Sequence, residues 1–257
     1  MKIYSWNILY RNKSLDDAFE FISHADFDAF CLQEVPGSLL KQLQTLSYSL
    51  AFRTDTEKKI GSDTVVMYNV ILSKFPTTRQ KEIPFPDYWT FLPWHTHLFV
   101  RLMPSRFFSR TQNRGGLFVD LVVSGRTVRV FNLHLALAHP AARIKEFEQA
   151  MLERDPTLPT IVCGDFNILE SPHITPLNWI MGGTMRDMFF SSAERTHIEK
   201  RFVEHSMTNA LRGSVTHPLS KSQLDHILVS HDFSIKNASV LPSRTGSDHH
   251  PILVEVA

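Results

Sequence analysis

The chain has 257 residues, 43% of them hydrophobic and 21% charged, which is enough apolar chain for a substantial core within one large α/β domain. A net charge of +1 argues against a strongly basic nucleic-acid binder, while leaving room for a local patch. The two cysteines, Cys31 and Cys163, both lie in apolar runs and read as small buried hydrophobes, not as a disulfide.

KIYSWNIL (2–9) reads as a first strand with the polar Asn7 near its end. In SLDDAFEFISHA, Leu15, Ala18, Phe19 and Ile22 recur at helical spacing. Ser14 and Asp17 form the pattern of a capping box, and Asp16 adds an acid in the first turn. DAFCLQEV is a short apolar strand ending in Gln33-Glu34, and a second helix is predicted over 37–47. DTVVMYNVILSKFP (63–76) has the β-branched character of one or two strands. GGLFVDLVV (115–123) and RTVRVFNLHL (126–135) form a hairpin pattern around Ser124-Gly125. PAARIKEFEQAMLER opens with Pro140, favourable at a first helical position, and carries Ile144, Phe147 and Met151 on one stripe. TIVCGDFN, QLDHILVS (223–230) and PILVEV (251–256) are the remaining strands, with a short helix near 193–203. Strand, helix, strand over 2–34 and again over 126–165 suggests two similar units. Packed sheet against sheet, they would bring their strand tips to one edge. No run reaches membrane-spanning length and the N-terminus is too short and polar for a secretory signal, so a cytoplasmic soluble protein is expected.

Polar residues collect at the ends of these apolar strands: Asn7, Glu34, His134, Asp165, Asn167, Asp225, Asp248 and His249. Singly, each reads as a turn or a solvated cap. Together they are oxygen and imidazole donors. Glu34, Asp165 and Asp248, with the amides of Asn7 and Asn167, suit a hard cation such as Mg²⁺, Mn²⁺ or Ca²⁺ and not structural zinc. Asp225 could fix the tautomer of His249 and raise its pKa. His249 and His250 are adjacent in an extended segment, so at most one faces a common site. Asp165 and Asn167 are two residues apart, the spacing that puts two side chains on one face of a strand.

SWNI, CLQEV, NVILSKFP, FNLHL, GDFN, QLDHILVS and SDHHP occur in the order of the endonuclease/exonuclease/phosphatase superfamily, which the chain resembles from its first strand to its last. The resemblance implies a single catalytic domain over 1–257. Its fold would be a four-layer α-β-β-α sandwich (DNase I-like), two mixed β-sheets packed face to face with flanking helices. It also implies a Mg²⁺-dependent phosphodiesterase, with Mn²⁺ as substitute. Asn7, Glu34 and Asp248 would hold the metal, and Asp165 would orient or deprotonate the attacking water. Asn167 would bind the phosphate, His134 would stabilise charge on its oxygens, and His249, paired with Asp225, would contact the phosphate or act as base. Asp187 and the THP at 216–218 resemble spots where relatives carry an Asp and a Thr.

The segment 77–114 is longer than the resemblance leads one to expect, and no clean strand or helix period runs through it. It interleaves Phe85, Tyr88, Trp89, Phe91, Trp94, Phe99, Phe107 and Phe108 with Arg101, Arg106, Arg110 and Arg114. Three readings compete: cover for a sheet edge, a cleft wall with arginines on phosphates and aromatics on bases, or a membrane-contacting loop over 85–108. A nucleic-acid substrate is the leading expectation, followed by a lipid or small-molecule phosphoester. A metal-free phosphate-binding relative comes third, and no obligate protein partner is evident.

Overall fold

The computed structural model describes residues 1–60, 63–103, 111–190 and 192–257. The first half runs β1 (Lys2–Asn7), α1 (Leu15–His24), β2 (Ala29–Pro36), α2 (Gly37–Leu43), β3 (Ser49–Ile60), β4 (Asp63–Ser73), β5 (Thr77–Pro84), α3 (Trp94–Leu102), β6 (Thr111–Gln112) and β7 (Gly115–Val123). The second half runs β8 (Arg126–His134), α4 (Pro140–Met151), β9 (Thr160–Asp165), α5 (Thr175–Ile180), α6 (Met185–Phe189), α7 (Ala193–Glu204), β10 (Met207–Asn209), β11 (Asp225–Ser230), β12 (Ile235–Val240) and β13 (Ile252–Val256). Among the described residues the strands form two mixed sheets, ordered β12-β13-β1-β2-β4-β3-β6 and β10-β11-β9-β8-β7-β5.

The period-two alternation of the strands builds the layers. Ile3 of β1, Ala29 and Cys31 of β2, Val128 and Val130 of β8, Ile161 and Cys163 of β9, and Ile227 and Val229 of β11 share one core between the sheets. The residues between them face outward. Tyr4, Trp6, Phe30 and Leu32 pack with Ala18 and Ile22 of α1 and Leu39 and Leu43 of α2. Phe131, Leu133, Val162 and Leu228 pack with Phe147 of α4 and with Ile198 and Phe202 of α7. Each such aromatic or branched side chain contributes roughly 1.5–3 kcal/mol by burial. The result is the expected four-layer sandwich. The two strand–helix–strand units are its centre, since β1–β2 and β8–β9 are the parallel pairs. Both cysteines are buried and unbridged.

The β7–β8 hairpin turns at Ser124 and Gly125, both with positive φ (50° and 80°), the geometry of a two-residue type I′ turn. Two expectations of helix ends are corrected. Ser14 caps nothing with its side chain, and its own N–H, which a capping box would give to Asp17, is held by the Asn12 side chain at 2.8 Å. The second helix stops at Leu43, four residues short of the predicted end, and a turn leads directly into β3. β3 itself is absent from the sequence reading. Its inward-facing positions include Arg53 and Asp55, so its alternation is real but not hydrophobic.

One polar contact ties the sheets together beneath their shared rim. The pairing of β2 with β4 slips between Leu32 and Val35, a bulge that disrupts the ladder locally. Asn132 of β8, fully buried, donates to Leu32 O and Val70 O at 2.9 Å each and accepts from Gln33 Nε2 at 2.7 Å. Asn132→Leu is expected to cost about 2–3 kcal/mol by orphaning these groups, measured as a lower urea midpoint at unchanged m.

Candidate active site

The inner-face columns of small and branched residues all end in polar side chains at one rim of the sandwich. His134 lies directly beside Asp165 in the β8–β9 ladder, and Asp165 directly beside Asp225 in the β9–β11 ladder. Across the gap between sheets, Asn7 Nδ2 donates to Asp165 Oδ2 at 2.9 Å, and within its own sheet it approaches Glu34 Oε1 at 3.5 Å. Glu34 sits on the β2 bulge with a φ of 53°, which turns its carboxylate off the strand face, and its Oε2 accepts the Tyr10 N–H at 3.2 Å. The 247–249 segment is pinned onto β1. Ser247 Oγ donates to Asn7 O at 2.7 Å and accepts the His249 N–H at 3.0 Å, while Trp6 Nε1 donates to His249 O at 3.2 Å. His250 turns the other way, with Nδ1 on Leu241 O at 2.7 Å. Only one of the two adjacent histidines is in the site.

Two Asp–His pairs face each other across Asp165. His249 Nδ1 is 2.8 Å from Asp225 Oδ2, and His134 Nδ1 is 2.6 Å from Asp55 Oδ2. Each carboxylate fixes its imidazole with Nδ1–H as donor and aims Nε2 at the pocket. The two Nε2 atoms lie 3.7 and 3.8 Å from Asp165 Oδ2, beyond hydrogen-bond length, so both remain able to donate to a ligand oxygen. Burial alone would push both histidines down. For His134 it is outweighed by Asp55, Asp165 and Glu34, and the pKa rises to about 9. For His249 the charges of Asp225, Asp165 and Asp248 lift it to about 10. Burial likewise opposes ionisation of Asp165, but His249 and His134 overcome it and hold this carboxyl below its usual range. Glu34 goes the other way, raised by burial and by the neighbouring charges of Asp55 and Asp248.

Asn167 reaches the pocket by a different route from the one its spacing implied. It is not extended: φ is 54°, its N–H donates to Asp165 Oδ1 at 2.9 Å and its Nδ2 donates to Leu135 O at 2.9 Å. A tight turn, not the strand's period, brings Asp165 and Asn167 to one pocket. Asp187 serves a helix end instead, forming the capping box of α6 with Thr184. Thr216 Oγ1 accepts the N–H groups of Leu224 and Asp225 at 3.0 Å each, which positions the start of β11.

Two participants are not among the candidates singled out in the sequence, although one of them, His217, lies inside the THP named there. Asp55 is the extra residue where β3 slips against β4 between Thr54 and Thr56, so no period marks it; an imidazole at His134 needing the kind of partner that His249 has was the available signal. His217 lies with Nε2 3.6 Å from Asp248 Oδ2 and its ring 4.8 Å from that of His249.

The pocket has a volume of about 370 Å³. Glu34, His134, Asp165, Asn167, Asp248 and His249 form one end. Tyr88, Trp89, Leu92, Val100, Leu177 and Met181 supply an apolar wall, so part of the 77–114 segment is cleft wall. Arg114 is buried against Glu146 and the His134 carbonyl. Arg106, Phe107, Phe108 and Arg110 lie outside the described residues.

The model of the Endonuclease/Exonuclease/phosphatase family matches residues 4–249. The chain belongs to that family. Members are phosphoric ester hydrolases, and the two sheets with flanking helices are the family's DNase I-like fold. Similar solved structures include an endonuclease/exonuclease/phosphatase from Beutenbergia cavernae (16% identity, 100% of this chain and 71% of that one, TM-score 0.70). Another is the catalytic domain of human nocturnin with a bound sulfate anion (16% identity, 100% and 93%, TM-score 0.66). A third is a mannosyl-6-phosphatase from Bacteroides thetaiotaomicron (18% identity, 100% and 99%, TM-score 0.60). The search of curated proteins found no match.

The family's divalent cation fits the residues present. Asp248 Oδ1 is buried with no hydrogen-bond partner, and Glu34 carries a burial-raised pKa further elevated by Asp55 and Asp248. A cation between hard oxygens relieves both conditions. Asn7 differs from a simple ligand: its Oδ1 accepts the Leu9 N–H at 3.0 Å and its amide group faces the two carboxylates, so it also sets their positions.

Proposed function

We propose that the protein is a divalent-metal-dependent phosphoester hydrolase that cleaves by in-line attack of water at phosphorus. The observation carrying this reading is the convergence of two Asp-anchored histidines on Asp165, beside the Glu34–Asp248 acidic pair. Glu34 and Asp248, with Asn7 beside them, would hold Mg²⁺ or Mn²⁺, which supplies Lewis-acid neutralisation of phosphate charge.

The residues divide the remaining work. Asp165, ionised and fixed by Asn7 and by its own turn, accepts a hydrogen bond from the attacking water and then its proton. The Nε2–H groups of His134 and His249 donate to phosphoryl oxygens, where negative charge accumulates as the new P–O bond forms. Asn167 adds its side-chain amide. The ester P–O bond breaks opposite the water, and the departing oxygen takes up a proton.

The pocket supports a lipid or small-molecule phosphoester over the nucleic acid that the sequence put first. A polynucleotide needs cations along its flanking phosphates. Among the described lining residues the Lys and Arg side chains are Lys58 and Arg114, and Arg114 is already paired with Glu146. The rest of the wall is mainly aliphatic and aromatic.

Purified protein with Mg²⁺ or Mn²⁺ is expected to hydrolyse bis(p-nitrophenyl) phosphate and to lose that activity in EDTA. A panel at matched metal (supercoiled DNA, single-stranded DNA, RNA, phospholipid vesicles) is expected to show turnover on vesicles exceeding turnover on nucleic acid. Inactivity on every ester, or undiminished activity in EDTA, would refute the reading.

A further inference from the structure

The segment before the pocket carries a helix with an apolar stripe on its outer face. In α3, Trp94, Leu98 and Leu102 recur at i, i+4 and i+8 and are 76%, 47% and 71% exposed, and Phe91 just before the helix is 64% exposed. The opposite face of the helix, with Thr96, Phe99 and Val100, packs on the protein. Thr96 is fully buried and donates to Ile180 O at 2.8 Å, and His95 stacks on Trp179 with ring centroids 5.0 Å apart. A helix serving only to cover the core would bury Trp94 and the leucines and expose Thr96. Here Trp94 and the leucines are exposed, while Thr96 is buried beside Phe99 and Val100.

Three observations say what meets this stripe. The helix that carries the stripe also forms part of the pocket's wall, because Val100 on its opposite, inward face and Trp89 and Leu92 just before it line the pocket. Leu137 and Leu219 line the pocket as well and are 38% and 72% exposed, so the apolar surface extends around the mouth. Cations also flank it: Arg101 is exposed on the helix, and Lys145 Nζ lies 5.0 Å from the Phe91 ring centroid. Aromatic and leucine side chains backed by Arg and Lys, with the phosphate-binding end of a pocket opening alongside, fit the interfacial region of a bilayer. Among the described residues no helix is long and apolar enough to cross a membrane. Contact at the surface is the geometry that remains.

We propose that α3 lays Trp94, Leu98 and Leu102 into the interface of a lipid bilayer and so presents the pocket to phosphoester headgroups of that bilayer. The substrate half of this statement rests on the hydrolase reading above, whereas the docking half rests on α3 alone.

The test is co-sedimentation of the full chain with vesicles of phosphatidylcholine, with and without phosphatidylserine, comparing wild type with a Trp94→Ser/Leu98→Ser/Leu102→Ser variant of matching melting temperature. Wild type is expected to bind, more tightly with phosphatidylserine, and the variant to bind on the order of tenfold more weakly or worse. The ratio of vesicle to soluble-ester turnover should fall in the variant by a similar factor. Arg101→Glu should remove the phosphatidylserine increment. Wild type remaining in the supernatant, or the variant binding as well as wild type, overturns the proposal. So does a dimer that the variant dissociates without any vesicle binding, which would make the occupant a second copy of the chain. If neither protein cleaves the soluble ester while vesicle binding still depends on the stripe, the hydrolase reading fails and the docking surface stands.

Discussion

Asp165→Asn is expected to lower kcat for a soluble phosphodiester by about 10²–10⁴-fold with little change in KM. The substitution keeps the shape of the side chain and removes its charge. In the native site Asp165 is the acceptor at the centre: Asn7 donates to it, its own turn holds it through the Asn167 N–H, and both histidine Nε2 atoms lie within 4 Å. An asparagine can still accept from Asn7 but cannot take the proton of the attacking water. Steady-state kinetics together with a thermal melt decide the matter. A melt near that of wild type with collapsed kcat supports the assigned role, whereas a parallel loss of stability and activity would make Asp165 a structural residue. Wild-type kcat would remove it from the mechanism.

The largest effect on stability is expected at Arg143, an almost fully buried guanidinium at the meeting of α4, α5 and α7. It pairs with Glu194 through both Nε and Nη2 and donates to Asn178 Oδ1 at 3.0 Å. Its Nη1 holds the carbonyls of Ala136 at 3.1 Å and Leu137 at 2.6 Å. Glu194 is itself buried, so Arg143→Met leaves an uncompensated interior charge at a cost of about 3–5 kcal/mol. For a chain of this size each kcal/mol moves Tm by roughly 2–4 °C, which puts the drop near 10 °C. The Arg143→Met/Glu194→Met double variant should recover much of the loss, because it removes both charges together. Its activity should stay low, since the 136–138 segment that Arg143 braces is part of the pocket wall. A single variant within about 1 kcal/mol of wild type would show that the pair contributes little to the fold.

How much of this was legible in the sequence depended on whether side-chain period and backbone geometry agreed. Along β1, β8, β9 and β11 they do: core residues alternate cleanly and the polar residue at the tip falls on the inner face. The two strand–helix–strand halves could therefore be named in advance, the four-layer sandwich followed from the resemblance of the motifs, and the structure places all eight polar strand-end residues at one rim. Where the chain slips register, the period carries no information. Asp55 and Glu34 both owe their direction to bulges; Glu34 stands out as the polar end of an apolar strand, and Asp55, in a strand whose inward residues are polar, does not. Asn167 was found for a reason that fails, since a left-handed turn and not an extended strand sets its position. The 77–114 segment looked aperiodic because its aromatics serve two surfaces, Tyr88 and Trp89 turned to the pocket and Phe91 and Trp94 turned outward.

Hydrolysis of a phosphodiester in ¹⁸O-enriched water, with the product read by ³¹P NMR, addresses the chemistry itself. Attack at phosphorus by a water held on Asp165 between two imidazolium donors puts one labelled oxygen into the phosphate product at each turnover. Label appearing in the released alcohol, with an unshifted phosphate signal, would mean that the carbon–oxygen bond breaks and that this constellation does not act on phosphorus.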